Sequence, residues 1–184
     1  MATIEALLTA EEFFAIPRGD QPKELVQGRI IYMTPPGQPH GLVCIEIGFI
    51  LRSYLATHDI GRVVGNDSGC ITARDPDSVR GPDIAFYRHD QIPEKPFPPG
   101  YWKAVPPLAC EVLSPSDVWA EVLEKVTEYF RAGVIVVCVF DPARETIQVF
   151  RGDRQPESLS GDAELKLPEV LGEEFAVPAK KFFV

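Results

Sequence analysis

The sequence predicts a mixed α/β domain, and three observations carry that prediction. Its 184 residues, 45% hydrophobic and 24% charged, have the size and balance of one globular unit with a substantial core. Short strand-like apolar runs are interspersed with two segments of helical apolar spacing, the pattern of a sheet covered by helices. Neither an internal repeat nor a low-complexity linker divides the chain, so one domain is expected over residues 1–184.

In chain order, Thr9-Ala-Glu-Glu12 is a capping-box pattern that opens a short helix, stopped by Pro17. "KELVQGRIIYMT" reads as two short strands around Gln27-Gly28, a hairpin signal. After the break "PPGQP", the apolar residues Val43, Ile47, Ile50, Leu51 and Leu55 recur at helical spacing between about His40 and Thr57. "RVVG" and "GCITAR" are two further strands, and "DPDSVRGPDIAFYR" runs from a polar loop into a strand beginning near Asp83. Residues 89–107 hold six of the 18 prolines and read as one long loop. A strand over 108–113, a helix from about Ser116 to Ala132 and the apolar strand "VIVVCVFDP" follow, with "ETIQVFRG" as its hairpin partner. The tail, 160–184, shows short strand-like pieces between prolines.

The composition narrows the function. No apolar run reaches the 18 residues of a membrane span, and the N-terminus lacks the basic start and apolar core of a secretory signal. Cysteines 44, 70, 110 and 138 form no C-x-x-C pair and lie among apolar residues, which reads as buried thiols in a reducing cytoplasm. The net charge of −9 favours a small-molecule or protein partner over nucleic acid, unless acids hold metal ions and arginines such as Arg62, Arg74, Arg80 and Arg88 gather locally. No G-x-S-x-G elbow, P-loop spacing, H-x-x-x-H pair or zinc-like Cys/His spacing is present; Ser114 reads as the cap of the following helix.

A lone glutamate stands inside the apolar strand "LACEVL". An ionised carboxylate in a strand interior needs a partner, because burying it uncompensated is expensive. Strand alternation puts Ala109, Glu111 and Leu113 on one face. Asp83 opens an earlier strand, and if the two strands are neighbours the acids converge; a cation between them would relieve their repulsion, and carboxylate oxygens suit Mg²⁺. On the helix that follows, the apolar stripe is Trp119, Val122, Leu123, Val126 and Phe130. Lys125 lies at its edge, with Glu121 one turn earlier to orient it. The bland alternatives are an exposed Glu111 paired with an arginine, a turn aspartate at position 83 and a solvated helix lysine.

"ELVQGRI…MTPPGQPH", "GPDIAFY", "EVLSPSD" with a lysine fourteen residues after its glutamate, "YFRAGV" and "VFDP" occur in one order from about Thr9 to Phe150. This series resembles the Uma-two family of bacterial endonucleases, within the PD-(D/E)XK superfamily. The resemblance implies a restriction-endonuclease-like fold, a mixed central sheet flanked by helices. It also implies that Asp83 and Glu111 are metal-binding acids and that Glu24 is an additional N-terminal acid. Leu113 occupies the usual lysine position two residues after the glutamate, and Lys125 fills the displaced place on the helix. Two departures are Glu121 in place of an aspartate and the loss of a Tyr-Trp pair before "VFDP". His40 lies at a family-typical position near the head of a helix, where capping or packing also accounts for it.

The expected protein is therefore a Mg²⁺-dependent endonuclease, with Mn²⁺ as an alternative ion. It acts on DNA in the cytoplasm without a membrane anchor, and a homodimer is favoured because two sites cut two strands. The rival expectations are an inactive nucleic-acid- or protein-binding module on the same fold, and a hydrolase of a small phosphate ester.

Overall fold

The computed structural model describes residues 6–17, 19, 21–152 and 154–183. Helix α1 (Ala10–Ala15) begins at the expected capping box, with Thr9 and Glu12 bonded reciprocally. Strands β1 (Lys23–Val26) and β2 (Arg29–Tyr32) form the expected hairpin. Its turn places Gln27 at φ 50° and Gly28 at φ 76°, both left-handed, as a two-residue hairpin turn requires. Helix α2 (Gln38–Leu55) buries Val43, Ile47, Leu51 and Leu55, four of the five positions its periodicity selects.

Then come β3 (Gly61–Gly65), β4 (Cys70–Ala73), β5 (Ser78–Arg80) and β6 (Ile84–Arg88). The long loop contains a single 3-10 turn at His89–Gln91 and otherwise carries no repetitive structure before β7 (Leu108–Val112). Helix α3 (Trp119–Ala132), β8 (Val136–Asp141), β9 (Thr146–Arg151) and β10 (Arg154–Ser160) follow. The tail forms β11 (Glu164–Lys166), α4 (Pro168–Leu171) and β12 (Ala176–Pro178), with β11 and β12 paired.

Two larger sheets organise the fold. The main sheet has the order β10-β9-β8-β7-β6-β3 and is mixed, with β7 and β8 parallel and its other pairs antiparallel. The smaller sheet has the order β2-β1-β5-β4. Gly81-Pro82 is the short connection by which the chain leaves β5 in the small sheet and, through Asp83, enters β6 in the main one. Leu108, Cys110 and Val112 pack on one face of the main sheet with α2 and with tail residues including Leu167, Phe175 and Phe182. Ala109, Val137 and Val139 pack on the other face with Val126 and Tyr129 of α3. The small sheet has its own core of Leu25 and Val79 against Ala10 and Phe13 of α1. Burial on this scale stabilises by roughly 1.5–3 kcal/mol per large apolar side chain.

The edge strand β3 depends on one glycine. A methyl group at Gly61 would lie 2.1 Å from the Tyr87 carbonyl oxygen and 2.6 Å from the Phe86 ring. Gly61→Ala is therefore expected to cost about 2 kcal/mol through overpacking, read as a lower midpoint in urea unfolding.

Helix α3 departs from expectation in start and face. It begins at Trp119, and Val118 at its N-cap makes no side-chain bond, so Ser114 does not cap it; the Ser114 N–H instead donates to Asp117 at 2.7 Å. Trp119 and Leu123 are exposed, at 38% and 45%, whereas Val126 and Tyr129 are buried. The helix is rolled so that the ridge carrying Lys125 and Tyr129 faces the sheet.

Candidate active site

The site forms at the junction of the two sheets, beneath α3. In the antiparallel pairing of β6 and β7, Ile84 lies opposite Cys110, so Asp83, one residue earlier, comes opposite Glu111. One Asp83 carboxylate oxygen accepts a 2.7 Å hydrogen bond from the Val112 N–H, which ties the end of β6 to β7. In the small sheet, Leu25 pairs with Val79, so Glu24 of β1 comes beside Arg80 of β5. Glu24 accepts from the Arg80 guanidinium and from the Gly81 N–H, both at 2.9 Å. The chain thus delivers Glu24, Arg80, Asp83 and Glu111 to one place because Gly81-Pro82 is too short to separate them.

Helix α3 closes the cluster. The Lys125 ammonium lies 2.9 Å from Glu111 Oε2 and 3.2 Å from Glu24 Oε1, bridging the two sheets. One turn later, the Tyr129 hydroxyl donates to Glu111 Oε1 at 2.6 Å. Glu128 accepts from Arg80 Nη2 at 2.6 Å and from the Thr72 hydroxyl of β4. On the other side, His40 Nε2 lies 3.2 Å from Asp83 Oδ1, and His40 Nδ1 is 3.4 Å from the Cys44 sulfur one helical turn away.

The charges do not balance. Glu24, Asp83, Glu111 and Glu128, with Asp67 close by, face the permanent cations Lys125 and Arg80 and the His40 imidazolium, so carboxyl groups outnumber cations by five to three. Burial, followed by Asp83 and Glu24, pushes the Glu111 carboxyl up to about 7 although Lys125 opposes the shift. Burial also works to raise Glu24, but Lys125 and Arg80 outweigh it and hold that carboxyl low. For Lys125, burial would favour the neutral amine, yet Glu111 and Glu24 prevail and push its pKa upward. Burial likewise opposes the charge on His40, while its hydrogen bonds to Asp83 and Cys44 hold the imidazolium up to about 10.

A divalent cation fits this donor set. Asp83 and Glu111 offer hard oxygen ligands from facing strand positions, and the uncompensated negative charge is what such an ion neutralises. Their orientation is fixed by Val112, Tyr129 and Lys125 in the way that outer partners orient metal ligands.

All four residues singled out in the sequence, Glu24, Asp83, Glu111 and Lys125, are brought to this one cluster. Glu121 is exposed; Lys125 is held by Glu111 and Glu24 instead. The four arginines do not gather: Arg80 alone is in the site, while Arg74 pairs with Glu11 and Asp77, Arg62 with Asp59, and Arg88 donates to the Glu169 carbonyl. Cys70, Cys110 and Cys138 are buried as expected, but Cys44 is half-buried against His40. Tyr129, Glu128 and Thr72 were not identified from the sequence. The signal for Tyr129 was its place four residues after Lys125, on the same ridge.

A mixed six-stranded sheet between helices, with acids at the meeting point of two of its strands, makes this an α+β protein. It superposes on the crystal structure of a "putative nuclease belonging to DUF820" from Anabaena variabilis with a TM-score of 0.81, covering 96% of this chain and 97% of that one at 23% identity. The chain belongs to the Uma2 family, described as "Putative restriction endonuclease", whose model matches residues 10–180. No curated protein matches the sequence. Among the described residues, no helix is long and apolar enough to cross a membrane.

Proposed function

We propose that the chain is a Mg²⁺-dependent endonuclease, also served by Mn²⁺, that hydrolyses phosphodiester bonds in DNA, with Asp83 and Glu111 as the metal ligands. The observation that carries this reading is the Asp83–Glu111 pair on facing strand positions, with the Lys125 ammonium 2.9 Å from Glu111 and negative charge left over. Bound there, the ion would supply Lewis-acid activation of the phosphate and of the attacking water.

The protein's own groups have separable roles. Lys125 stays protonated, because the carboxylates around it favour the charged form. It serves as a fixed cation for charge developing on the phosphate oxygens rather than as a base. Tyr129 positions Glu111 from the side opposite Lys125. Glu24, anchored by Arg80 and Gly81, holds Lys125 from the second sheet and keeps its ammonium within the cluster. Water adds to phosphorus, the bond to the leaving sugar oxygen breaks, and the proton lost by the water accounts for the hydroxyl formed. A single 1–184 domain, a homodimer with two sites for two strands, and a cytoplasmic location accord with this reading.

The net charge of −9 favours a second reading, hydrolysis of a smaller phosphate ester or binding without cleavage. Incubation of supercoiled plasmid and of short nucleotides with Mg²⁺, Mn²⁺ or EDTA decides between them. The proposal expects metal-dependent nicking of the plasmid; turnover of the short nucleotides alone selects the phosphate-ester hydrolase, and cleavage of neither selects the binding module.

A further inference from the structure

We propose a second cation site formed by His40, Cys44 and Asp83, which takes a borderline-soft divalent ion of the zinc type. His40 and Cys44 lie four residues apart in the first turns of α2, hence on one face of the helix, and that face looks onto the start of β6. One ligand atom from each of the three residues lies within 4.8 Å of the others. Nitrogen and oxygen ligands about 2.0–2.1 Å from a tetrahedral zinc ion are separated by roughly 3.3 Å. His40 Nε2 and Asp83 Oδ1 are already 3.2 Å apart, and the Cys44 sulfur is 3.4 Å from the His40 ring. The sulfur now meets Nδ1 whereas Asp83 meets Nε2, so the thiol or the ring must turn to bring one ring nitrogen, the sulfur and the carboxylate onto a single ion, which displaces the protons of the imidazolium and the thiol.

The chemistry of the donors separates this site from the carboxylate pair. One imidazole, one sulfur and one carboxylate select zinc-like ions, whereas Mg²⁺ prefers oxygen alone. The Val112 N–H fixes the second oxygen of Asp83, the type of outer contact that orients a metal-ligating carboxylate. All three residues keep some exposure, the His40 and Asp83 side chains at 12%, and three protein ligands leave the fourth tetrahedral position for water or a phosphate oxygen. The other three cysteines are buried in the packed interior, leaving Cys44 as the accessible thiol. The site rests on the proposed nuclease reading only in sharing Asp83: a zinc-type ion bound here competes with the Mg²⁺ site for that carboxylate.

The test is a titration of the chelator-stripped full-length protein with Co²⁺ under anaerobic conditions, in parallel with Cys44→Ser, His40→Asn and Glu111→Gln. The expected result is one Co²⁺ per chain with a near-ultraviolet thiolate-to-cobalt charge-transfer band, bleached by Zn²⁺. The band is absent in Cys44→Ser, binding is weakened about tenfold or more in His40→Asn, and the band is retained in Glu111→Gln. Circular dichroism confirms that each variant is folded. A wild type without the band, or a band that survives Cys44→Ser, overturns the proposal. Because Co²⁺ absorption does not depend on cleavage, the band without plasmid nicking would sink the nuclease reading and leave this site standing.

Discussion

Replacing Lys125 with methionine is expected to destabilise the metal-free protein by about 3 kcal/mol at pH 8, the scale for removing one partner of a buried ion pair. Methionine preserves most of the aliphatic stem, so the loss comes from the ammonium that now lies within 3.2 Å of both Glu24 and Glu111. Without it, Glu24 retains Arg80 and the Gly81 N–H, whereas Glu111 retains only the Tyr129 hydroxyl. The deficit should therefore concentrate on Glu111 and shrink when the pH is lowered enough to protonate it. The same substitution in a Glu111→Gln background should cost markedly less, a non-additivity expected of groups in direct contact. Urea unfolding of the four proteins at pH 8 and pH 5.5 measures this; additive effects with no pH dependence would show that Lys125 is not the counter-ion of Glu111.

Glu111→Gln should act in the opposite direction on stability. The folded-state value near 7 lies above the ordinary carboxylate value of 4.5, so the folded protein binds the proton more tightly than the unfolded chain does. The resulting stabilisation is fully present below about pH 4.5 and is lost as pH rises through about 7. At pH 8 the wild type carries an ionised Glu111 at a cost of about 1–3 kcal/mol, which glutamine does not incur; its one carbonyl oxygen can accept from Lys125 while its NH2 donates to the Tyr129 hydroxyl oxygen, and Lys125 keeps Glu24 as counter-ion. The variant should accordingly melt higher than wild type at pH 8 and nearly with it at pH 5. Lower thermal stability of the variant at pH 8 would mean that Glu111 is a structural anion rather than one held at a cost.

These two residues also show what the sequence could reveal. Gln27-Gly28 specified its hairpin through local turn geometry, and the period of Val43, Ile47, Leu51 and Leu55 specified both the helix and its buried face. Glu111 stood out because a charge interrupts an apolar strand, and the ordered resemblance added Asp83, Lys125 and Glu24. The division into two sheets was not legible, since it depends on β1 pairing with β5 across more than fifty residues. Arg80 stood only as one of four candidate arginines and Glu128 was hidden, because they become site neighbours only through that pairing and through the contact of α3 with β4. The roll of α3 was misread because Trp119 and Leu123 are strongly apolar, yet burial of Tyr129 and the ion pair of Lys125 decide which face meets the sheet. Cys44 looked like one more core thiol, and only the approach of Asp83 to α2 gives its spacing from His40 a meaning.

The central claim is that the carboxylates at the sheet junction hold a divalent cation for phosphodiester cleavage. Its most direct test is nicking of supercoiled plasmid by wild type and by Glu111→Gln, each at pH 8 with Mg²⁺ or EDTA, after both have been shown to be folded by their melting curves. Mg²⁺-dependent nicking by wild type and a loss of about a hundredfold or more in the variant, despite its higher melting temperature, are the expected results. Equal nicking by the two proteins, or nicking unaffected by EDTA, would contradict the claim.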